Sequence, residues 1–389
     1  MKVIIVGNSI ASYTLASALL KSADYIDIEV FSDEPEAPYY RTRILSLLDG
    51  QSVSTLAMKP ALESPRYHLH NVHVDNIDVD TKTVYTSDGG THDYDVLVLA
   101  NGAKAFRLPL PGGHSDGIFA LRTVDDVAQL ASWLDSHKGP VVVIGGGLLG
   151  LEAAAELARC TGSGVTVLES AGHLLPLQLD HDSATFLSTR LKALGVNVMC
   201  KASTSNFLSK GDEVSAVKCD DGFTVAATTV VESVGIRPNS FLAVDAGLAV
   251  EKGVVVDDRL QTSAEDVYAI GDVAQFNGRV VGQAGAAMDM ARTLAAILSG
   301  KDQKYVPSVA SSMLKVAGID VISIGEVNSP ALECVSRTDG DVREAFFCRD
   351  GVLVGATLIG SRDHFAAARA ALGKSFDQVA DKLGFSAGA

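Results

Sequence analysis

The chain has 389 residues, 47% of them hydrophobic, and a formal net charge of −15 at pH 7. That length holds two or three domains with large cores, and the acidic balance argues against a nucleic-acid or anionic-membrane surface. No apolar run reaches the ~18–20 residues that span a bilayer, and no basic-then-apolar leader marks the chain for export, so a cytoplasmic protein is expected.

Lys2 to Val6 reads as a short buried strand that turns at Gly7-Asn8-Ser9-Ile10-Ala11-Ser12 into a helix over Tyr13 to Lys21. The turn keeps a Gly-x-Gly-x-x-Gly frame with serine at its second and third positions, and a serine hydroxyl can donate to a phosphate oxygen. The next strand, Ile26 to Phe31, runs into Ser32-Asp33-Glu34-Pro35. Asp33 lies 33 − 7 = 26 residues after Gly7 and suits an adenosine ribose, with Glu34 as its rival. In Tyr39-Tyr40-Arg41-Thr42-Arg43-Ile44 two arginines straddle a turn. They could neutralise a pyrophosphate or face an electron-poor flavin ring, and a solvated basic turn is the other reading.

His68, His70 and His73 cluster, but no Cys or carboxylate pattern completes a site, so surface histidines and no metal are expected. Residues 73–79 and 83–86 read as a hairpin. Tyr94 to Leu99 is a buried strand ending in the small-residue turn Ala100-Asn101-Gly102, and Val124 to Leu134 is an amphipathic helix.

At the centre, Val141 to Ile144 supplies four consecutive β-branched residues, as suits a strand covered on both faces. Gly145-x-Gly147-x-x-Gly150 follows, with Leu148 and Leu149 opening a helix. The three glycines allow a tight turn, a bare backbone for a pyrophosphate, and close helix-on-strand packing, with the anion on the helix N-terminus. Val165 to Leu168 then ends in Glu169, 169 − 145 = 24 residues after the first glycine, a separation that suits an acid accepting from both ribose hydroxyls. Glu169 would repel a 2′-phosphate, and Ser170-Ala171-Gly172 offers no arginine to hold one, so NADH is expected over NADPH. The dinucleotide device thus occurs twice in one chain.

Residues 183–195 read as a helix, 196–232 as alternating strands, and Val231 to Asn239 as the close of this middle domain. Val267 to Asp272 is a strand ending in Gly-Asp, followed by a helix from Gly282 to Leu298 and a polar linker over Lys301 to Pro307. Ser312 to Glu326 and Val342 to Leu358 alternate as strands, and Phe365 to Leu372 forms a short helix. From Lys301 on, 10 Lys/Arg face 11 Asp/Glu, so this tail carries −1 and the rest −15 + 1 = −14; it is the least acidic surface for an acidic partner. The cysteines, at 160, 200, 219, 334 and 348, are odd in number and lack a Cys-x-x-Cys spacing, so they read as reduced, mostly packed thiols.

Together these stretches resemble the FAD-dependent pyridine nucleotide (disulfide) oxidoreductases, and within them the NADH:rubredoxin reductase group, over nearly the whole chain. The most specific parts are Gly145-x-Gly147-x-x-Gly150-x-Glu152, Val267 to Asp272, Val234-Gly235-Ile236-Arg237-Pro238-Asn239, and Pro38-Tyr39-Tyr40-Arg41. The resemblance implies an α/β fold with two Rossmann-like dinucleotide-binding domains, as in glutathione reductase, plus a small α+β C-terminal domain. Its boundaries would be 1–107 and 237–300 for FAD, 108–236 for NAD, and 301–389 for the interface domain.

Carried onto this sequence, the family's roles would fall as follows. Gly7, Ser9, Ile10, Ala11 and Ser12 would hold the FAD pyrophosphate, Asp33 or Glu34 its ribose, and the Val74 backbone its adenine. Arg41 and Arg43 would flank the flavin. Ala100-Asn101-Gly102 stands where the family has Ala-Thr-Gly, Arg122 fits its Leu-Arg-Thr element, and Gly271-Asp272 would receive the ribityl chain. Gly145, Gly147, Leu148, Leu149, Gly150, Glu169 and Gly235 would serve the nicotinamide nucleotide. Glu152 would reach the nicotinamide and stands with Arg43 and Lys315 as a catalytic candidate; Lys315 either lies near the flavin or is an ordinary strand lysine.

In such enzymes NADH delivers a hydride to the flavin, which releases electrons singly or in pairs. Tyr40 to Gly50 and Lys104 to Pro140, where thiol-using relatives place their cysteines, contain none. Electrons are therefore expected to leave directly to a small carrier such as rubredoxin. The alternatives are oxygen, a ferredoxin, a nitrite- or nitric-oxide-reducing partner, or a redox-sensing interaction protein like apoptosis-inducing factor. No oligomeric state follows.

Overall fold

A computed structural model describes residues 1–280, 282–307, 311–316 and 318–385. Residues 386–389 of the expected C-terminal domain and Ala317 in its first strands lie outside the described residues. The chain divides into two compact units.

The first unit comprises Met1–Ile44, Gln51–Ala105 and Gly235–Ser308. Its centre is a parallel sheet in the order Val267–Ala269, Val96–Leu99, Lys2–Val6, Asp27–Phe31, Tyr67–His70. Val3, Ile4, Ile5, Leu97 and Val98 have no exposed surface, as a parallel strand covered on both faces requires. The helices Ile10–Ser22 and Ala284–Leu298 pack on each other. The first begins at Ile10, earlier than the apolar pattern from Tyr13 suggests, because extended Ser9 already stands at its N-cap. An antiparallel meander of Val74–Asp78, Thr83–Thr86 and Thr91–Asp93 adds Val74, Ile77 and Val84 to the same core. A short antiparallel pair joins Ala103–Ala105 to Ile236–Pro238. The two-arginine stretch read as a turn is a 3-10 helix, Arg41–Asp49.

The second unit comprises Leu45–Gly50, Phe106–Val234 and Val309–Ala389. A second parallel sheet runs Val196–Cys200, Val165–Glu169, Val141–Ile144, Thr229–Glu232, Ile118–Ala120. The helix Leu148–Thr161 follows the central strand and stops at Gly162 in the left-handed conformation, as C-terminal glycines do. An antiparallel sheet closes the chain in the order Ser311–Val316, Ile319–Gly325, Val352–Ile359, Val342–Arg349, Glu333–Asp339. The strand Glu333–Asp339 was not expected. It is a mostly exposed edge, so its polar sequence lacks the alternation that marks a half-buried strand. The helix His181–Ala193 docks on this sheet through a bond of 3.0 Å between the fully buried hydroxyls of Ser183 and Thr357. Among the described residues no helix is long and apolar enough to cross a membrane.

Candidate functional site

In the second unit each glycine of the central turn has its own steric reason. Gly145 has φ +110°, and a Cβ there would stand 2.2 Å from the Ser233 carbonyl oxygen. A Cβ on Gly150 would stand 2.1 Å from the Gly145 carbonyl oxygen. Gly147 is different: nothing lies within 4 Å of a Cβ built on it. It caps the helix Leu148–Thr161 with no side-chain hydrogen bond, so the leading N–H groups, with Leu148 and Leu149 in the first turn, face a space with room for an anion.

Glu169 ends the adjacent strand and is only 8% exposed. Its Oε2 accepts from the Gly146 N–H at 2.7 Å, and its Oε1 from the Ala171 N–H at 2.7 Å and the Ser170 hydroxyl at 3.3 Å. The carboxylate is therefore held against the glycine turn. Beside it stands a residue missed in the sequence, Lys201, whose N–H donates to the Ala171 carbonyl at 2.9 Å. It lies 201 − 169 = 32 residues after the acid. Only the parallel pairing of Val165–Glu169 with Val196–Cys200 brings the two together.

Glu152 lies on the same helix as Gly150, half-buried and with no side-chain hydrogen bond among the described residues. Burial pushes its carboxyl up to about 7. The Arg122 N–H donates to Asp126 Oδ2 at 2.8 Å, at the start of the helix Val124–Ser136. A second residue missed in the sequence is Glu232, 3% exposed, which accepts from Arg107 Nε at 3.1 Å and the Leu108 N–H at 2.9 Å. Burial raises its pKa too. Lys315 is exposed on Ser311–Val316, in register with Asp320.

In the first unit Gly7 has φ +104°, and a Cβ there would stand 2.5 Å from the Ala100 carbonyl oxygen. Ser9, Ile10, Ala11 and Ser12 open the helix, and Ala11 lies under Gly271, whose added Cβ would stand 3.3 Å from it. The expectation that the Ser12 hydroxyl donates to a phosphate is corrected: it is 1% exposed and donates to the Gly7 carbonyl at 2.5 Å. The Ser9 hydroxyl has only a 3.5 Å contact with the Ala100 carbonyl, at the weak limit of a hydrogen bond.

Asn101 replaces the family's threonine and makes a reciprocal clamp. Its side-chain amide donates to the Asn239 carbonyl at 2.8 Å, the Asn239 side chain donates to the Asn101 carbonyl at 2.8 Å, and the Asn239 N–H donates to the Gly102 carbonyl at 2.9 Å. Asn101 Oδ1 is left buried without a hydrogen-bond partner.

The two rival acids take different partners. Asp33 pairs with His73 Nδ1 at 2.8 Å, and Glu34 binds Arg41 and the Tyr39 hydroxyl, with the Arg41 guanidinium 4.9 Å above the Tyr39 ring. Arg43 follows in the 3-10 helix. Val74 is buried opposite Thr86. Gly235 has φ +105° ahead of Ile236–Pro238, and Asp272 sits in the turn Gly271–Val273, which packs on the helix Ala284–Leu298.

His70 is half-buried, with one face packed: its ring lies flat on Phe31 at 4.7 Å, its Nε2 is buried without a hydrogen bond among the described residues, and burial lowers its pKa. His92 of the strand Thr91–Asp93 stands edge-on to Phe31 at 4.7 Å. Of the five free cysteines, Cys160 and Cys334 are exposed, Cys200 is half-buried, and Cys219 and Cys348 are buried. Cys160 groups with Asp49 and Glu156 as potential metal ligands, but Arg159 already pairs with both carboxylates.

The candidates thus form two groups, one per unit. An open cradle at Gly147 and a helix N-terminus there without a side-chain cap fit a phosphate-bearing dinucleotide, and the buried orphan acceptor on Asn101 suits a hydroxyl or N–H donor of such a cofactor. Two parallel sheets, each feeding a glycine turn and helix, define the two-Rossmann-domain α/β class. Residues 1–291 match the family described as Pyridine nucleotide-disulphide oxidoreductase, and the chain belongs to it. Residues 311–375 match the Rubredoxin NAD+ reductase C-terminal domain. Membership implies FAD and NAD(P)H as cofactors.

The chain is 32% identical to the nitrite reductase [NAD(P)H] of Bacillus subtilis (strain 168) over 369 residues, 92% of this chain but 45% of that one. It thus spans under half the length of that relative. It is 33% identical to the ferredoxin reductase component of chlorobenzene dioxygenase from Cupriavidus sp. (strain PS12), covering 94% of this chain and 91% of that one. The solved NADH:rubredoxin oxidoreductase of Clostridium acetobutylicum superposes with a TM-score of 0.80 at 27% identity, over 97% of this chain and 96% of that one.

Proposed function

We propose that the chain is an NADH-oxidising flavoprotein that passes electrons through FAD to a small redox protein, rubredoxin or a ferredoxin, in the cytoplasm. In this reading residues 1–107 and 237–300 hold FAD, 108–236 hold NADH, and 301–389 form the interface domain. The observation that carries it is the distribution of sulfur: all five cysteines fall in the second unit, so the unit assigned to FAD contains none. A disulfide or sulfenic-acid relay beside the flavin then has no thiol from that unit, and a direct outlet is the simpler path.

Bound FAD supplies the change from a two-electron hydride to single electrons. The chain's own residues do the rest. The Gly7 and Gly145 turns admit pyrophosphates, and Glu169, fixed by three donors, accepts from the ribose hydroxyls of NADH. Glu152, with its carboxyl pushed up to about 7, would hydrogen-bond the nicotinamide carboxamide, donating when protonated and accepting when ionised.

Anaerobic stopped-flow mixing tests this. Fast flavin bleaching by NADH, followed by fast recovery on adding rubredoxin or ferredoxin, is expected. A long-lived charge-transfer complex that neither carrier discharges would instead favour a redox-sensing interaction protein. A second reading, the reductase portion of a nitrite-reducing system, is favoured by the 32% identity across 92% of the chain.

A further inference from the structure

We propose that Lys201 is the counter-charge for an adenosine 2′-phosphate, so that the nucleotide site accepts NADPH as a second donor and Glu169 and Lys201 together set the ratio. This rests on the reading of Glu169 as the ribose acid.

Two backbone bonds stitch the Lys201 segment to the acid's loop: Lys201 N–H to the Ala171 carbonyl and Ala202 N–H to the Glu169 carbonyl, both 2.9 Å. Lys201 has φ +57°, a left-handed conformation that costs a residue with a Cβ and is usually left to glycine or asparagine. Its stem runs past Gly172, with Cε 3.9 Å from where a Cβ on Gly172 would stand. The cation therefore lies along the loop that follows Glu169. Among the described residues Lys201 is exposed and its ammonium makes no hydrogen bond or ion pair.

Among the described residues it makes no ion pair with Glu169, whose carboxylate is held by Gly146, Ala171 and Ser170 instead. The next imidazole on the loop, His173, turns its Nδ1 to the Leu174 carbonyl at 3.0 Å. One pinned acid and one uncommitted cation on the same loop act oppositely on a 2′-phosphate, and identically placed 2′-hydroxyls feel mainly the acid.

The test uses the purified flavoprotein with ferricyanide as acceptor, and calorimetric binding of 2′,5′-ADP. Lys201→Ala is expected to lower the NADPH/NADH ratio of kcat/KM roughly 3–5-fold and to weaken 2′,5′-ADP similarly, as one exposed charge contact allows. Lys201→Gly, which suits the positive φ, should behave alike, and Lys201→Arg should restore the ratio. Glu169→Gln should raise the ratio, and adding Lys201→Ala should cancel that gain. An unchanged ratio and unchanged 2′,5′-ADP binding in Lys201→Ala and Lys201→Gly overturn the proposal while Glu169→Gln still moves it. If Glu169→Gln leaves both nucleotides unaffected, the ribose assignment itself fails.

Discussion

At the third small position of the turn, the second unit carries Gly150 and the first carries Ser12. Each stands five residues after the glycine that opens its turn, Gly145 or Gly7. In the second unit a Cβ at that place would meet the Gly145 carbonyl at 2.1 Å, so no side chain fits. In the first, the Ser12 hydroxyl donates to the matching Gly7 carbonyl at 2.5 Å, so the helix stands off far enough to admit a side chain that repays its place with a partly buried hydrogen bond. The opening glycines, by contrast, are alike. Both have φ above +100° and both press on a neighbouring carbonyl, that of Ala100 or of Ser233. The comparison separates what the motif always needs, a bare first position, from what it negotiates at the third.

Exchanging residues between the turns tests this, and the largest effect is expected for Gly150→Ser. With no standoff for Cβ it should cost about 3 kcal/mol or fail to fold locally, seen as a lower urea midpoint and lost NADH reduction with flavin retained. Ser12→Ala should cost about 1 kcal/mol, because the partly buried Gly7 carbonyl loses its donor. Flavin content should hold, since that hydroxyl is turned away from any phosphate; loss of flavin from a stably folded variant would break the comparison. Asn239→Ala removes one side of the clamp on Ala100-Asn101-Gly102 and should cost about 1 kcal/mol, with faster release of FAD on dilution.

Glu152→Gln shows as a slope rather than an offset. The folded carboxyl sits at about 7 against an ordinary 4.5, so its contribution to stability is full below 4.5 and is lost as pH rises through 7. The glutamine variant should flatten the fall in melting temperature between pH 5 and 8; an unchanged profile would mean that Glu152 is not held in a poorly solvated place.

Much of the architecture was legible in one dimension. Four β-branched residues before Gly145, the helix opened by Leu148 and Leu149 and the paired motif at Gly7 are local signals, because backbone sterics and burial on both faces act residue by residue. The family and the α/β class follow from them.

Contacts between distant segments were not legible. The choice of Ser12 for the Gly7 carbonyl, the clamp of Asn101 on Asn239, the meeting of His70 and His92 on Phe31 and the arrival of Lys201 beside the Glu169 loop each depend on which strand ends meet. Spacing alone shows that a residue lies at the end of a strand. Only the closed sheet decides which hydrogen-bonding group or charge stands opposite it, because that neighbour comes from elsewhere in the chain and its partner is set by sheet order and register.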